Sequence, residues 1–249
     1  MVLTSQDDTA LPHTNRRDMP PVGRWFYGGV DEMRAHPSVP DKPDLLSVFG
    51  SKKQQKHSLH LRRFEFLNTL VHELGDIISV YGSGYQRVEH KAEGMDSFKY
   101  HIAVENHIGA HHWTEKLSDA FLGYCLPFYA GCPNAAAYFP EDAFIPIDIR
   151  DTASACATIR AAIADNAFEK RLPAIIEARR RVIEDYNLGN MIAKHVIDQE
   201  ERLDEVSVGA AQIYSRHALM RSSLWVFLRY ALGKIRSRSF NKRYWKDYI

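Results

Sequence analysis

Short apolar runs alternate with segments of helical periodicity through the central part of the chain. The apolar runs predict buried strands at 45–49, 76–81, 100–104, 126–130 and 143–147. The periodic segments predict helices at 59–74, 114–124, 154–165, 168–185, 187–204 and 207–236. Because strands and helices alternate at this spacing, we expect parallel βαβ units. The fold class predicted is α/β, with a doubly wound parallel sheet followed by C-terminal helices.

The first 42 or so residues do not show this alternation. Helix- and strand-breaking prolines punctuate them at Pro12, Pro20, Pro21, Pro37 and Pro40. Breakers at these intervals leave room only for short elements. We therefore divide the chain into an irregular arm at 1–44, an α/β domain at 45–205 and a helical tail at 206–249.

Composition narrows the class of protein. Hydrophobic residues make up 45% and charged residues 25% of the 249, which is typical of a globular protein and excludes a wholly disordered or fibrous one. No apolar run reaches the roughly 18 residues that cross a bilayer, and the N-terminus lacks the apolar core of a secretory signal. Three cysteines are too few for a disulfide framework. Together these features predict a cytoplasmic enzyme.

The net charge of +1 conceals an uneven distribution. Nine of the 32 basic residues and no acidic residue lie between Arg216 and Lys246, so the other 23 basic residues face 31 acidic ones, a formal charge of −8. Leu224, Trp225 and Phe227 are interleaved with these cations. The pattern predicts an amphipathic helix that attaches peripherally to the anionic inner face of a membrane. The alternative is a helix that docks on the acidic body.

A basic segment with aromatic residues also raises the possibility of nucleic-acid binding. The apolar positions of the tail cluster between Leu224 and Leu228. Clustering of this kind suits one face of a helix better than a groove that follows a single strand. We therefore expect no nucleic-acid partner.

One segment, at 104–117, carries far more polar chemistry than the other strand-to-helix junctions. A predicted strand ends in Glu105 and Asn106, a glycine-containing loop follows, and a helix opens with Thr114, Glu115 and Lys116. Ligands of open parallel sheets bind outside the carboxyl ends of the strands, and helix N-termini favour phosphate. A lysine in a first helical turn opposes the helix dipole, which suggests an anionic ligand. The alternative is an ordinary helix start with a solvated lysine.

Signatures of other chemistries are missing from the sequence. His57 and His60, or His107, His111 and His112, have spacings that could converge on zinc, but no cysteine or carboxylate stands at ligand spacing. There is no phosphate-binding loop of the GxxxxGK[ST] type, no GxSxG and no Asp-x-Asp. We therefore expect neither a metal site nor a required cofactor.

The segment from Phe98 to Gly131 resembles the donor-binding motif of the α1,3-fucosyltransferases. The positions in register are Phe98, Glu105, Asn106, Thr114, Glu115, Lys116, Ala120, Pro127 and Gly131. The helix beginning at Arg63 and the segment 133–145 also match the family's pattern, so the resemblance extends over about residues 45–200. It implies the Rossmann-like donor half of a GT-B fold, with the domain at 45–205 binding the sugar donor GDP-fucose.

The resemblance also implies roles for individual residues. Arg63 and Lys116 resemble the residues that contact the pyrophosphate, and a cation there suits a GDP leaving group on which charge develops. Glu115 resembles the carboxylate that binds the ribose hydroxyls, and Asn106 a polar contact near the phosphates and fucose. The full set implied to bind the donor is Arg63, Glu105, Asn106, His112, Thr114, Glu115 and Lys116.

The sequence departs from the family's pattern at three positions near this motif. The family's tyrosine two residues before the threonine is His112 here, and the following valine or isoleucine is Trp113. The serine after Glu-Asn is His107. A histidine can still donate a hydrogen bond to a phosphate or a sugar, but these changes leave the identity of the sugar open.

The larger departure lies at the N-terminus. The family carries a first domain that holds the acceptor and the carboxylate acting as general base, which inverting transfer requires. Only about 44 residues precede the first predicted strand, and the piece from Arg16 to Pro20 resembles the end of that domain. Asp18 is the acid left in this piece, and so it is the candidate for the base. The expected function is transfer of fucose from GDP-fucose to a glycan acceptor, oligosaccharide or lipid-linked, with inversion. The alternative is a GDP-sugar-binding domain without catalysis.

Overall fold

A computed structural model describes residues 2–4, 16–21, 28–52, 59–198, 218, 221–229, 231–232 and 235. The chain divides into two compact units, residues 1–193 and 194–249. The first unit holds the sheet and nearly all of the helices, and it carries every site residue predicted above.

The first unit is built on a five-stranded sheet in which all neighbouring strands are parallel. Its strands are β3 (Asp44–Ser51), β4 (Ile78–Ser83), β5 (Phe98–Val104), β6 (Leu126–Ala130) and β7 (Ile145–Pro146). Their order across the sheet is β4-β3-β5-β6-β7. This order is the doubly wound arrangement, and the predicted fold class is confirmed.

Helices follow the strands as the alternation predicts. The long ones are α2 (His60–Leu74), α3 (Glu115–Leu122), α4 (Thr152–Ala164), α5 (Ala167–Glu184) and α6 (Leu188–Ile197). Short 3-10 helices lie at Gly75–Ile77, Lys91–Gly94, Ala135–Ala137 and Glu141–Ala143. After β3 the chain forms β4 at one edge of the sheet, and after β5 it forms β6 toward the opposite edge. Right-handed crossovers therefore place α2 and α3 on opposite faces, where α2 packs against α4 and α3 against α5.

Three predicted boundaries need correction. The strand expected at 143–147 is reduced to Ile145–Pro146, because Ala143 belongs to a 3-10 helix. The strand expected at 76–81 begins only at Ile78, because Gly75 takes a left-handed φ of 57° and starts a 3-10 turn before the strand. The helix expected at 187–204 ends at Ile197 as far as the structure describes it. Most of the helix expected at 207–236 lies outside the described residues.

The N-terminal arm contains elements that the sequence pattern does not predict. Strands β1 (Val2–Thr4) and β2 (Arg16–Asp18) form a parallel pair, and α1 (Val30–Ala35) is a helix of six residues. Helix α1 buries Met33 in the core beside α5, and Arg34 forms an ion pair with Glu184. Proline and glycine spacing limits the length of an element, but it does not exclude a helix this short.

Aromatic side chains fill the core between the sheet and the helices α3 and α5. Trp113, Phe121 and Phe139 are almost completely buried, with the rings of Trp113 and Phe139 centred 5.0 Å apart and those of Phe121 and Phe139 4.8 Å apart. Edge-on and tilted packing at these separations is favourable for aromatic rings. This core fixes α3, and with it the loop that leads into the helix, against the sheet.

The second unit exposes several large apolar side chains where the structure describes it. Residues 224–229 are helical, and Leu224 and Trp225 are 75% and 70% exposed. Phe227, Leu228, Leu232 and Ile235 are also exposed. Within the described residues, no helix combines the length and apolarity needed to cross a membrane.

Candidate functional site

The order of the strands locates the candidate site before any side chain is considered. The chain reverses its direction across the sheet between β3 and β5, and ligands of doubly wound sheets bind outside the carboxyl ends of the strands at this point. Arg63 lies in the first turn of α2, after β3, and Asn106 is the second residue after the end of β5. Nη1 of Arg63 donates a hydrogen bond to Oδ1 of Asn106, which joins the two sides of the crevice.

A buried carboxylate supports the loop between β5 and α3. Glu105 is 0% exposed, and its Oε1 accepts from the backbone N–H of Thr114 at 2.8 Å. Its Oε2 accepts from the Thr114 hydroxyl at 2.6 Å. Both carboxylate oxygens are therefore engaged within the protein, and Glu105 holds the loop closed rather than facing a ligand.

Thr114 begins α3 and links Glu105 to the helix. It is the N-cap, and its side-chain oxygen accepts from the backbone N–H of Lys116 at 3.4 Å. The ammonium of Lys116 lies 3.2 Å from the same oxygen, 2.9 Å from Oε1 of Glu115 and 3.6 Å from Oε2 of Glu105. The lysine is thus held at the N-terminus of the helix between two carboxylates.

The charges at the site shift one another's pKa values. Burial raises the pKa of Glu105, and the nearby Lys116 ammonium opposes this shift. Burial also acts to raise the pKa of Glu115, but the hydrogen bond and charge of Lys116 outweigh it and the net shift is downward. Burial lowers the pKa of Arg63, against the pull of Glu105 and Glu115. Since a guanidinium keeps its proton in proteins, Arg63 remains a partly buried cation.

His112 stands where the resembling family has a tyrosine. Burial, followed by the neighbouring His107 and Lys116, lowers the pKa of His112 to about 4. Its ring packs edge-on against that of His107, with the centroids 4.9 Å apart. His112 is therefore neutral near pH 7, and it offers a hydrogen bond but no charge.

The tryptophan at position 113, where the resembling family has valine or isoleucine, is explained by its packing. Its side chain is 1% exposed and packs edge-on against Tyr138, Phe139 and Tyr186. An enlarged side chain at this position is accommodated by the aromatic core and does not project into the crevice. The indole N–H has no hydrogen-bond partner in the described structure, and we have no physical account of this.

The N-terminal arm reaches the loop before α3 through Asp18. Oδ2 of Asp18 lies 3.5 Å from Nε2 of His111, whose other ring nitrogen is 2.6 Å from the hydroxyl of Tyr138. His111 adopts a left-handed φ of 60°, and its backbone N–H donates to the Asn134 side chain at 2.8 Å. The structure therefore places the candidate base beside the loop of the predicted donor site.

Two residues near the site were not predicted from the sequence. Asp119, one turn after Glu115 on α3, is 0% exposed and lies 2.5 Å from the ammonium of Lys91. A carboxylate on the apolar face of a helix is a sequence signal for a buried counter-cation. Its partner could not be identified, because Lys91 lies in a short 3-10 helix that no sequence motif marks.

Gly131 belongs to the same buried layer. A Cβ atom there would come within 2.4 Å of Cγ of Glu105 and within 2.4 Å of the Tyr129 hydroxyl oxygen. Contacts this short are prohibitive, so only glycine lets the end of β6 pass Glu105.

A large cleft lies away from the candidate site, at the opposite edge of the sheet. A cleft of about 770 Å³ lies near the amino ends of β5 and β6, lined in part by Glu32, Asp96, Tyr124 and Arg179. None of the predicted site residues line it. The guanidinium of Arg179 is already used, since it donates to the backbone carbonyls of Leu122, Met33 and His36. We therefore place the candidate site at the carboxyl edge, where polar groups converge.

Among the described residues, no group of three or more histidines, cysteines or acids is arranged to hold a metal ion.

Comparison with protein families identifies the class of protein. Residues 39–167, just over half of the chain, match the family model of the C-terminal part of glycosyltransferase family 10 (fucosyltransferase). The chain belongs to glycosyltransferase family 10. The family expected from the motif is confirmed, and its match covers the whole loop from Glu105 to Lys116.

The individual relatives that match share little sequence identity with this chain and match only part of it. The α-(1,3)-fucosyltransferase FucT of Helicobacter pylori is 30% identical over an alignment of 86 residues that covers 32% of this chain and 18% of that protein. Crystal structures of α1,3-fucosyltransferase with GDP-fucose and with GDP are 25% and 21% identical, with TM-scores of 0.44 and 0.43. Each match covers 57% of this chain, and 42% and 47% of the respective solved chains. The chain spans less than half the length of these relatives.

Proposed function

We propose that this chain binds GDP-fucose and supplies the donor half of an α1,3-fucosyltransferase that transfers fucose to a glycan with inversion. The observation that carries the proposal is the convergence of Arg63, Asn106 and Lys116 at the switch point of the sheet, joined through Glu105 and Thr114. Family membership supports the reaction class. The related enzymes crystallised with GDP-fucose and GDP support the donor.

In this proposal each residue of the crevice has a part in holding the nucleotide. Arg63 and Lys116 bind the diphosphate, together with the N–H groups at the start of α3. Glu115 accepts hydrogen bonds from the ribose hydroxyls, and neutral His112 donates one to a phosphate or to the sugar. When the bond to the sugar breaks, negative charge accumulates on GDP. Cations fixed in advance stabilise that charge most as it develops.

Transfer itself requires an acceptor and a base. The acceptor hydroxyl oxygen attacks the anomeric carbon, the bond from that carbon to the diphosphate oxygen breaks, and the hydroxyl proton passes to the base. Asp18, held beside His111, is the candidate base in this chain. The second candidate function is a donor-binding domain that holds GDP or a GDP-sugar without catalysing transfer.

Calorimetric titration with GDP tests the proposed site. Replacing Arg63 or Lys116 with alanine removes a charge-assisted hydrogen bond to phosphate and should weaken binding by about 1.5–3 kcal/mol. The free energy of unfolding should change little in Arg63→Ala, because the residue is partly exposed. Lys116→Ala should lower it more, because the buried carboxylate of Glu105 then loses its nearby cation. EDTA should not alter the affinity, because the proposal assigns no metal to the site.

Lys99 provides a matched control for these variants. Its ammonium lies 2.5 Å from Oε1 of Glu169, so it too is an ion-paired lysine on the first unit, but it lies outside the site. Lys99→Ala should bind GDP like the wild type. Unchanged affinity in both Arg63→Ala and Lys116→Ala would refute the site. Binding of GDP-fucose without any fucose transfer or release would favour the second candidate function.

We also propose that the tail attaches the protein to the anionic inner face of a membrane, which would place it in the cytoplasm. Exposed Leu224, Trp225 and Phe227 lie between the cations Arg221 and Arg229. Full-length protein should co-sediment with anionic vesicles and be released as salt rises, and it should ignore neutral ones. Failure to bind either kind of vesicle would contradict this attachment.

A further inference from the structure

Burial of the Asp119 carboxylate is energetically costly, and neither the fold nor the proposed site requires an acid at this position. It lies in the middle of α3 with 0% of its surface exposed. One carboxylate oxygen is 2.5 Å from the ammonium of Lys91, and the other has no hydrogen-bond partner in the described structure. A buried carboxylate with an unpaired oxygen costs stability. An apolar residue would pack at this position without that cost, so the pair with Lys91 needs a reason.

The arrangement of Lys91 and Asp119 repeats that of Lys116 and Glu105. In each pair the carboxylate is 0% exposed, and the lysine side chains are 17% and 19% exposed. The carboxylate thus lies beneath the lysine and fixes its position, while part of the side chain reaches the surface. Lys116 is the residue that we assign to the diphosphate.

The contacts of the Lys91 side chain lead toward the same crevice, whereas its chain neighbours His90, Ala92 and Glu93 line the cleft near the amino ends of β5 and β6. Asp119 and Glu115 are four residues apart and so lie on one face of α3. The ammonium of Lys91 is 5.7 Å from the centre of the Phe49 ring. Phe49 and Arg63 both line a cavity of about 30 Å³ at the carboxyl half of β3. The positive charge of Lys91 also helps to lower the pKa of Glu115.

We propose that Lys91, positioned by Asp119, is a third cation of the site and contacts the diphosphate of the bound nucleotide. This inference rests on the proposed function. GDP carries several negative charges, and with Arg63 on α2 and Lys116 on α3, Lys91 brings a cation from the segment before β5. The diphosphate is then held from three separate elements of the fold.

The experiment compares GDP with guanosine, which shares the base and the ribose but lacks phosphate. Lys91→Met keeps the apolar stem and removes the charge, so GDP should bind about tenfold more weakly, the usual effect of losing one charge-assisted contact. Guanosine affinity should change less than twofold. Lys99→Met, the ion-paired control outside the site, should leave both affinities unchanged.

The outcomes separate this inference from the function beneath it. Equal weakening of GDP and guanosine in Lys91→Met would mean that Lys91 is structural, and unchanged GDP binding would mean that it does not contact phosphate. Either result overturns the inference. A wild-type protein that does not bind GDP would instead refute the proposed function. If Lys91→Met does not fold, Lys91→Gln, whose amide can still donate to Asp119, carries the same expectations.

Discussion

The two edges of the sheet hold their cations in different ways. At the amino edge, Lys42 is 6% exposed and its ammonium donates to the backbone carbonyls of Met95, Asp96, Phe98 and Gly123 at 2.6–3.1 Å. Arg179 at the same edge is likewise satisfied by carbonyls. At the carboxyl edge, Lys91 and Lys116 are partly exposed and lie on carboxylates.

The difference distinguishes a structural cation from one that can bind a ligand. A backbone carbonyl is a neutral dipole fixed in the main chain, so Lys42 ties the chain before β3 to the segments that lead into β5 and β6 and has no donor left over. A lysine that lies on a buried carboxylate is fixed by it while part of its side chain still reaches the surface. The chemistry of the partner and the completeness of burial together indicate which edge binds, whereas cleft volume alone does not.

The largest expected effect is at Lys42. Lys42→Met removes the donor from several buried carbonyls at once, and we expect it to lower the free energy of unfolding by about 4 kcal/mol, since each stranded acceptor costs about 1–3 kcal/mol and entering water recovers part of the loss. Urea unfolding measures this change. The GDP affinity of the folded fraction should stay within about twofold of the wild type, because no contact with phosphate is lost.

Lys99→Met again serves as the control, since an exposed ion pair contributes at most about 1 kcal/mol. If Lys42→Met lost no more stability than Lys99→Met, Lys42 would not be a structural cation and the distinction between the two edges would be wrong. Loss of GDP affinity in Lys42→Met without loss of stability would break it as well, because it would place a binding cation at the amino edge.

Much of this fold could be predicted from the sequence because its strands are buried on both faces. Such strands appear as continuous apolar runs between glycine and polar residues, and the strand predicted at 126–130 has the observed bounds. Helix α1 escaped prediction because six residues between Gly29 and Pro37 are too few for a periodic signal. The start of β4 was predicted two residues too early because it depends on the conformation of Gly75, which periodicity does not specify.

The candidate site was predictable where its chemistry is local. The segment from Glu105 to Lys116 is continuous in sequence, so its residues could be recognised together. The sequence did not reveal that Glu105 is buried, and the structure gives it a supporting role beneath Thr114. Lys91 could not be predicted, because its partner Asp119 is 28 residues away and reaches it only through tertiary packing.

The smaller expected effect concerns the acid that holds Lys91. Burial raises the pKa of Asp119 to about 6, against the pull of Lys91. The folded state therefore binds a proton that the unfolded state has released between about pH 4 and pH 6, so the Asp119 contribution makes the protein less stable as pH rises through this window. The loss of stability caused by ionising Asp119 is absent below about pH 4 and complete above about pH 6. Because one pKa unit corresponds to about 1.4 kcal/mol, the shift of about two units gives a loss of at most about 3 kcal/mol.

Asp119→Asn isolates this contribution, because the asparagine keeps the shape of the side chain and does not titrate. The difference in free energy of unfolding between wild type and variant should change by up to about 3 kcal/mol between pH 4 and pH 6, with the variant gaining relative stability at the higher pH. Urea unfolding at a series of pH values measures it. A difference that is independent of pH would mean that Asp119 titrates normally. The buried carboxylate would then cost little, and the reason for regarding the Lys91 pair as part of the binding edge would be lost.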